Sequence, residues 1–400
     1  MNIIADRLSF IKPSMTVGIN NKANALRAEG KDILVLAAGE PDFDTPINIR
    51  KAALKAMDQG LTRYVPGKGT PALQKAIIKK FKNDNNIDYS EDEIMVGVGG
   101  KHIIYNAMMA TLNPNDEVII PAPFWVSYPD IVLLAEGKPI LVSCEEKNEF
   151  KIRPNDLEKS ITSKTKWVFL NSPSNPTGAV YTKEELIDLG KVLQKHPHVY
   201  ILTDDIYEKI IYDKNKFYTI ASLVPELKKR TLTLNGVSKA YCMTGWRLGY
   251  CGAPKEIIKA MNKIQSQSNS STSSISMAAA VEALLGNQDF ISLHNIEFKK
   301  RRDMVVEKLN AIDGISCGTP PGAFYVYPNC SGVIGKKTPN GDLIDTDEKF
   351  MSYLLESEGV AGVQGEAFGL SPYFRLSYAT NENILTDACN RIKKACQNLK

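Results

Sequence analysis

The stretch T-L-T-L-N-G-V-S-K-A-Y-C-M-T-G-W-R-L-G, residues 231–249, decides how this chain is read. Thr231 to Leu234 alternates as a strand does and gives way at the turn pair Asn235-Gly236. Lys239 therefore sits just past the end of a buried strand, among small and apolar residues. An ammonium there is costly unless it is neutralised or used covalently, and desolvation lowers a lysine pKa toward nucleophilic competence. Arg247 follows in the same run and offers a permanently charged fork for a phosphate or carboxylate. Taken singly, a lysine and an arginine near glycines also describe an ordinary solvated loop.

On either side of that strand, from Pro46 onward, helix and strand patterns alternate, the mark of an α/β unit with a mostly parallel sheet between helices. Strands are expected at 93–96, 117–120, 166–170 and 199–203, ending near Gly99, Trp125, Asn171 and Asp204, with Asn235 ending the fifth. Each strand end delivers glycine, aromatic or polar residues. Open α/β sheets bind ligands at that edge, so one pocket should collect all five loops.

The loops admit two readings each. Gly97 to Gly100 sits at a strand-to-helix junction, where glycines serve tight packing or free backbone N–H groups to hold an anion. Trp125 is a core residue or stacks on a flat ring. Asn175 stands in N-S-P-S-N-P-T-G, a locked turn. Asp204 ends an apolar strand; it caps a helix or holds a protonated group of a ligand. Asp205 beside it is expected to be solvated, and Tyr207 lies three residues beyond Asp204. Arg375 alternates with Phe374 and Leu376 on a late strand, which by residue type alone means a surface arginine. The serine-rich 266–276 is expected to be helical and beside the site.

Composition narrows the function. The chain has 400 residues and a net charge of +4 with no basic block, so nucleic acid is not an expected partner. Seven scattered cysteines without C-x-x-C suggest reduced thiols in a cytoplasmic protein. His196 and His198 make a fortuitous pair rather than a metal site. No apolar run is long enough to span a bilayer, and the N-terminus lacks signal-peptide character. A full G-x-G-x-x-G is missing, which disfavours a nicotinamide oxidoreductase.

The run S-K-x-Y-x-M-T-G-W-R-x-G, together with A-x-G-E-P-D-F-x-T-P (37–46), N-P-T-G (175–178) and F-R-x-S-Y-A (374–379), resembles the class I, fold type I aminotransferases that use pyridoxal 5'-phosphate. The resemblance covers nearly the whole chain. It implies a large cofactor-binding domain over 46–285, with an N-terminal arm over 1–45 and a smaller α+β domain over 286–400. It makes Lys239 the Schiff-base lysine and Arg247, Ser238, Gly99, Gly100 and Lys101 neighbours of the phosphate. It sets Trp125 over the pyridine ring, Asp204 at the ring nitrogen, and Asn175 and Tyr207 at the phenolic oxygen. Arg375 would grip the substrate α-carboxylate, with Gly39, Trp125 and Asn175 close by. Tyr64 would reach the phosphate of the neighbouring subunit, which implies a homodimer.

The lead K-P-S at 12–14 is similar to the aspartate and prephenate aminotransferase subgroup. It makes Lys12, with Lys101 as the second candidate, the cation for a dicarboxylate's distal group. The expected substrates are aspartate, glutamate and 2-oxoglutarate, with prephenate as an extra acceptor. His102 stands where glutamine is usual and Glu366 where a small residue is usual. Other readings remain: an aminotransferase of aromatic or neutral amino acids, a β-lyase or decarboxylase on the same residues, or a silent effector-binding homologue.

Overall fold

The computed structural model describes residues 3–11, 13 and 15–400. Its strands, in chain order, are β1 (Leu34–Val35), β2 (Ile94–Gly97), β3 (Glu117–Ala122), β4 (Lys138–Ser143), β5 (Thr165–Asn171) and β6 (Tyr200–Asp204). There follow β7 (Thr231–Gly236), β8 (Gly249–Gly252), β9 (Tyr325–Val326), β10 (Val360–Ala361), β11 (Val363–Gln364) and β12 (Phe374–Ser377).

Seven of these form one sheet in the order β2-β8-β7-β6-β5-β3-β4. β8 is antiparallel to both its neighbours, and the remaining pairs are parallel, so six strands point the same way. Successive residues of a strand face opposite sides, and here both sides are covered. Along β5, Trp167 and Phe169 pack toward the helices Gly100–Thr111 and Lys255–Ser268, while Val168 and Leu170 join the opposite core with the helix Lys183–Lys195. That last helix is started by a reciprocal cap, in which Thr182 accepts from the Glu185 N–H and Glu185 returns to the Thr182 N–H.

Two further sheets lie beyond the large one: β1 pairs with β10, and β11-β12-β9 form an antiparallel triplet. The first of these joins the N-terminal segment to the C-terminal third, so residue 34 and residue 360 share a ladder.

Several elements differ from the sequence reading. The first long helix, Met15–Ala28, lies in the segment assigned to the N-terminal arm. The serine-rich stretch 266–276 is helical only at its two ends, with a break at 269–273 between Lys255–Ser268 and Ser274–Leu285, because side-chain hydroxyls at Ser268 and Ser273 bond the backbone and end one helix and start the next. The apolar run 322–327 is regular strand only at Tyr325–Val326. β4 and β8 carry no alternation to reveal them. β4 is an edge strand with exposed positions, and β8 reads G-Y-C-G. A Cβ on Gly249 would sit 2.5 Å from the Gly100 nitrogen, so this strand lies directly against the start of the Gly100–Thr111 helix.

Candidate active site

The parallel strands end around a cavity of about 350 Å³, lined by loops from five of them and by residues from both ends of the chain. Lys239, in the loop after β7, points its amine across this cavity and donates to the Gly39 carbonyl at 2.5 Å. The amine lies near the rings of Tyr207 and Phe324, at 5.7 and 6.0 Å. Burial lowers its pKa from 10.5 to about 8, with Arg375 and Arg247 adding to the fall and Glu40 and Asp204 opposing it. The result is an amine with a substantial neutral fraction near physiological pH.

Asp204, the last residue of β6, is buried and faces the same cavity. Tyr128 donates its hydroxyl to Oδ2 at 2.7 Å and the Ile206 N–H donates to Oδ1 at 3.3 Å. Burial raises the carboxyl from 3.8 to about 6, opposed first by the Tyr128 bond. No helix follows Asp204; residues 206–209 are turns, so the capping alternative does not hold. Asp205 corrects another expectation. It is 1% exposed, shares a face with Thr203 and takes that hydroxyl's hydrogen bond, and burial pushes its carboxyl up to about 8.

Arg375 is also not the surface arginine its residue type suggested, being 2% exposed. Its guanidinium lies between the rings of Tyr325 and Phe368, at 4.5 and 5.0 Å. Nη1 donates to Asn175 Oδ1 at 2.8 Å and Nη2 to the Ala37 carbonyl at 2.6 Å, while Nε has no partner. Asn175 is held in turn by its own N–H, which donates to Asn171 Oδ1 at 2.9 Å. Tyr207 shares a hydrogen bond of 2.7 Å with Tyr325.

At the other end of the cavity, Gly99 caps the Gly100–Thr111 helix with φ +79°, and a Cβ there would meet the Arg247 guanidinium at 2.5 Å. The orphan N–H groups of that helix, the Arg247 fork and the buried Ser238 thus converge on one corner. Lys101 holds its amine 5.0 Å from the Trp125 ring, and its pKa is lowered by burial and by Arg247. Trp125 lines the cavity, edge-on to Tyr128.

The structure therefore brings together Lys239, Asp204, Tyr207, Asn175, Arg247, Arg375, Ser238, Gly39, Gly100, Lys101 and Trp125, with Gly99 against Arg247. Tyr64 is 96% exposed and does not line the cavity of its own chain. Lys12 lies outside the described residues. Sequence reading missed Tyr128, Tyr325, Asn20 and Glu40, all in the lining. Tyr128 had a signal, since it lies one helical turn past Trp125, and so had Glu40, which stands beside Gly39 in the quoted run 37–46; Tyr325 and Asn20 reach the cavity only through long-range packing. The described residues hold no cluster of groups suited to a metal ion, and no helix among them is long and apolar enough to cross a membrane.

The family profile of class I and II aminotransferases matches residues 31–392. A probable aspartate/prephenate aminotransferase of Rhizobium leguminosarum bv. phaseoli is 56% identical over 396 residues, covering 99% of both chains. The aspartate/prephenate aminotransferase of Cereibacter sphaeroides is 53% identical over all of both chains. Among solved structures, the aspartate aminotransferase of Rhizobium meliloti superposes with a TM-score of 0.97 at 53% identity, covering all of both chains. That of Thermus thermophilus with maleate gives 0.92 at 39% identity, over 99% of this chain and all of the other.

Proposed function

This chain belongs to the class I and II aminotransferases, and from that premise we propose that it is a pyridoxal 5'-phosphate enzyme moving the amino group of L-aspartate to 2-oxoglutarate. The products are oxaloacetate and L-glutamate, and prephenate is a further acceptor. The observation that carries this reading is one cavity holding a depressed-pKa lysine, a buried carboxylate and a buried arginine with an unpartnered Nε.

The residues present fit the cofactor. The corner made by Gly99, Gly100, Ser238 and Arg247 suits a phosphate, Asp204 suits a ring nitrogen, Trp125 offers an aromatic face, and Lys239 supplies the amine for attachment. When bound, the cofactor supplies an electron sink for the charge released at the substrate Cα.

The chain's own residues do the rest. Asp204, anchored by the Tyr128 hydroxyl, holds its carboxylate at a fixed point, and pairing with a protonated nitrogen would bring its raised pKa back down. Asn175 and Tyr207 offer donors at the phenolic oxygen. The freed Lys239 amine would take the proton from the substrate Cα and hand it to the cofactor carbon on the far side of the amino nitrogen; its lowered pKa keeps it competent as a base. Arg375 receives the substrate α-carboxylate, using Nε and a guanidinium N–H now spent on Asn175 or Ala37. The rings of Tyr325 and Phe368 keep water from that fork.

A dicarboxylate needs a second cation, and Lys12 or Lys101 supplies it; the maleate in the Thermus thermophilus structure is itself a dicarboxylate. The enzyme works as a homodimer whose partner contributes Tyr64, which the exposure of that ring and of Leu54, Met57 and Leu61 nearby supports. The domain division that goes with this reading is 46–285 for the cofactor, with 1–45 and 286–400 completing the substrate side. Seven buried, unpaired thiols suit the reducing cytoplasm.

The test is a panel of kcat/KM values for aspartate, prephenate, phenylalanine and alanine on wild type, Lys12→Ala and Lys101→Ala. Loss of one charged hydrogen bond should lower the dicarboxylate values about tenfold to hundredfold and leave the neutral ones unchanged. Preference for neutral amino acids in wild type, or no selective loss in either variant, would overturn the substrate assignment.

A further inference from the structure

The turn Asp204–Glu208 has two faces. Asp204 and Tyr207 line the cavity, whereas Glu208 turns away into the protein. There its Oε1 pairs with the Lys80 ammonium, and its Oε2 accepts from Asn85 Nδ2 at 2.7 Å. Asn85 Oδ1 in turn accepts from Lys80 Nζ at 2.6 Å, so the three side chains close a triangle. The Lys80 and Glu208 side chains are 1% and 6% exposed. Lys80 and Asn85 both belong to the helix Pro71–Asn85, which leaves directly from the loop that carries Tyr64.

A buried ion pair is a poor way to gain stability. Desolvation offsets most of the attraction, and apolar residues of the same volume often do as well or better. What such a pair does supply is direction, because charged hydrogen bonds in a low-dielectric interior fix donor and acceptor closely. Glu208 has little freedom to move without its neighbours. Its N–H donates to the Asp205 carbonyl at 2.9 Å, and the Ile210 N–H to the Tyr207 carbonyl at 2.8 Å. A displaced Glu208 therefore displaces Tyr207, and strains the Asp204 end of the same turn.

We propose that Lys80, Asn85 and Glu208 are positioning residues for the transamination: from behind the turn they set where Asp204 and Tyr207 present their oxygens to the cavity. This rests on the cofactor reading above. None of the three lines the cavity, so none touches cofactor or substrate. Their effect reaches the reaction through Asp204 at the ring nitrogen and Tyr207 at the phenolic oxygen.

The experiment compares holoenzyme carrying Glu208→Gln, Lys80→Met and the double change Lys80→Met/Glu208→Leu. Each single change leaves a buried charge unmatched and should lower the melting temperature; the double change removes both charges and leaves only the neutral Asn85 amide without these partners, so it should recover part of the loss. A purely structural pair would recover everything else too. The positioning role instead leaves the double variant with kcat down about tenfold to hundredfold at nearly unchanged KM. It also shifts the pH midpoint of the bound cofactor's absorption band, a readout independent of turnover. A double variant with recovered melting temperature, wild-type kcat and wild-type midpoint would overturn the proposal. Should the double variant fail to fold, Glu208→Gln decides the matter, since it keeps the shape and an acceptor for Asn85; wild-type kcat and midpoint there overturn the proposal equally. Wild type lacking a cofactor band would defeat the cofactor reading itself, a separate outcome.

Discussion

The two ends of the cavity are built by different means. At the sheet edge, the corner around Gly99 and Arg247 is made of backbone and of side chains fixed by adjacent strand ends, with β8 pressed against the Gly99–Gly100 peptide. At the other end, Arg375, Gly39 and Asn175 come from segments far apart in sequence, and polar bonds join them: Arg375 to Asn175, Arg375 to the Ala37 carbonyl, Lys239 to the Gly39 carbonyl. The first end is preorganised by the fold. The second is held by contacts that a ligand can replace, which suits a group that binds once and stays against groups that enter and leave at every turnover.

Lys239 is where the two ends meet, and its removal should break both. Lys239→Ala is expected to abolish transamination and the absorption band of the bound cofactor. Turnover at the wild-type rate would show that another group carries the chemistry and that the cavity is misassigned.

The next largest effect falls on the exchangeable end. Arg375→Ala removes the fork and strands Asn175 Oδ1 and the Ala37 carbonyl. It should lower kcat/KM about tenfold to hundredfold or more, mainly through substrate binding. On the proposed homodimer, Tyr64→Ala should be impaired by loss of a contact to the partner's site. Mixed and allowed to exchange subunits, the two variants should regain activity, because one site per heterodimer then has both residues intact. Variants that stay inactive after proven exchange would place Tyr64 outside the partner's site.

A third effect appears as pH dependence of the cofactor-free protein. The Lys239 pKa is lowered from 10.5 to about 8, so between those values the folded protein binds fewer protons than the unfolded chain. Stability from this group must therefore rise with pH across the window, by roughly 3 kcal/mol. Lys239→Met has no such group. Its advantage over wild type in urea unfolding should be largest near pH 7 and shrink toward pH 10. A constant difference would mean that the amine is as well solvated as in the unfolded chain.

The contrast between the two ends also governs what the sequence disclosed. The strand ends at Asn171 and Asp204 were legible because buried parallel strands read as short apolar runs that stop at turn residues, and that at Asn235 because an alternating run stops at Asn235-Gly236. The antiparallel β8 was not, since its role is to lie against another backbone and its side chains carry no period. Asp205 looked solvated because an acid usually is. Yet the period of two puts it with Thr203 on the face opposite Asp204, and helices cover that face too. Tyr325 and Asn20 carry no local mark. They enter the cavity through the packing of the C-terminal strands and the first helix around the sheet edge, and a lone sequence does not display those pairings. Arg375 was assigned only through the resemblance, since alternation alone had placed it outside.

The smallest predicted effect sharpens the comparison, because it asks whether the sheet-edge end depends on side chains at all. His102, in the first turn of the Gly100–Thr111 helix, accepts the Val98 N–H on Nδ1 at 3.2 Å. Burial keeps the imidazole below its ordinary pKa, so it is neutral at pH 7 and Nδ1 stays free to accept. The ring thus fixes the Gly97–Val98 peptide, next to Gly99, whose own N–H donates to the Gly97 carbonyl at 2.8 Å. A glutamine can accept the same N–H through its amide oxygen. His102→Gln should therefore change the cofactor dissociation constant of the reconstituted enzyme by no more than about twofold. His102→Leu fills similar space but leaves the Val98 N–H without a partner, which should cost about 1 kcal/mol, or roughly fivefold in affinity. Leucine matching wild type would mean that glycine backbone and Arg247 hold the corner without help. A tenfold loss with glutamine would mean that this end, too, is held by exchangeable side-chain bonds, and the contrast between the two ends would have to be given up.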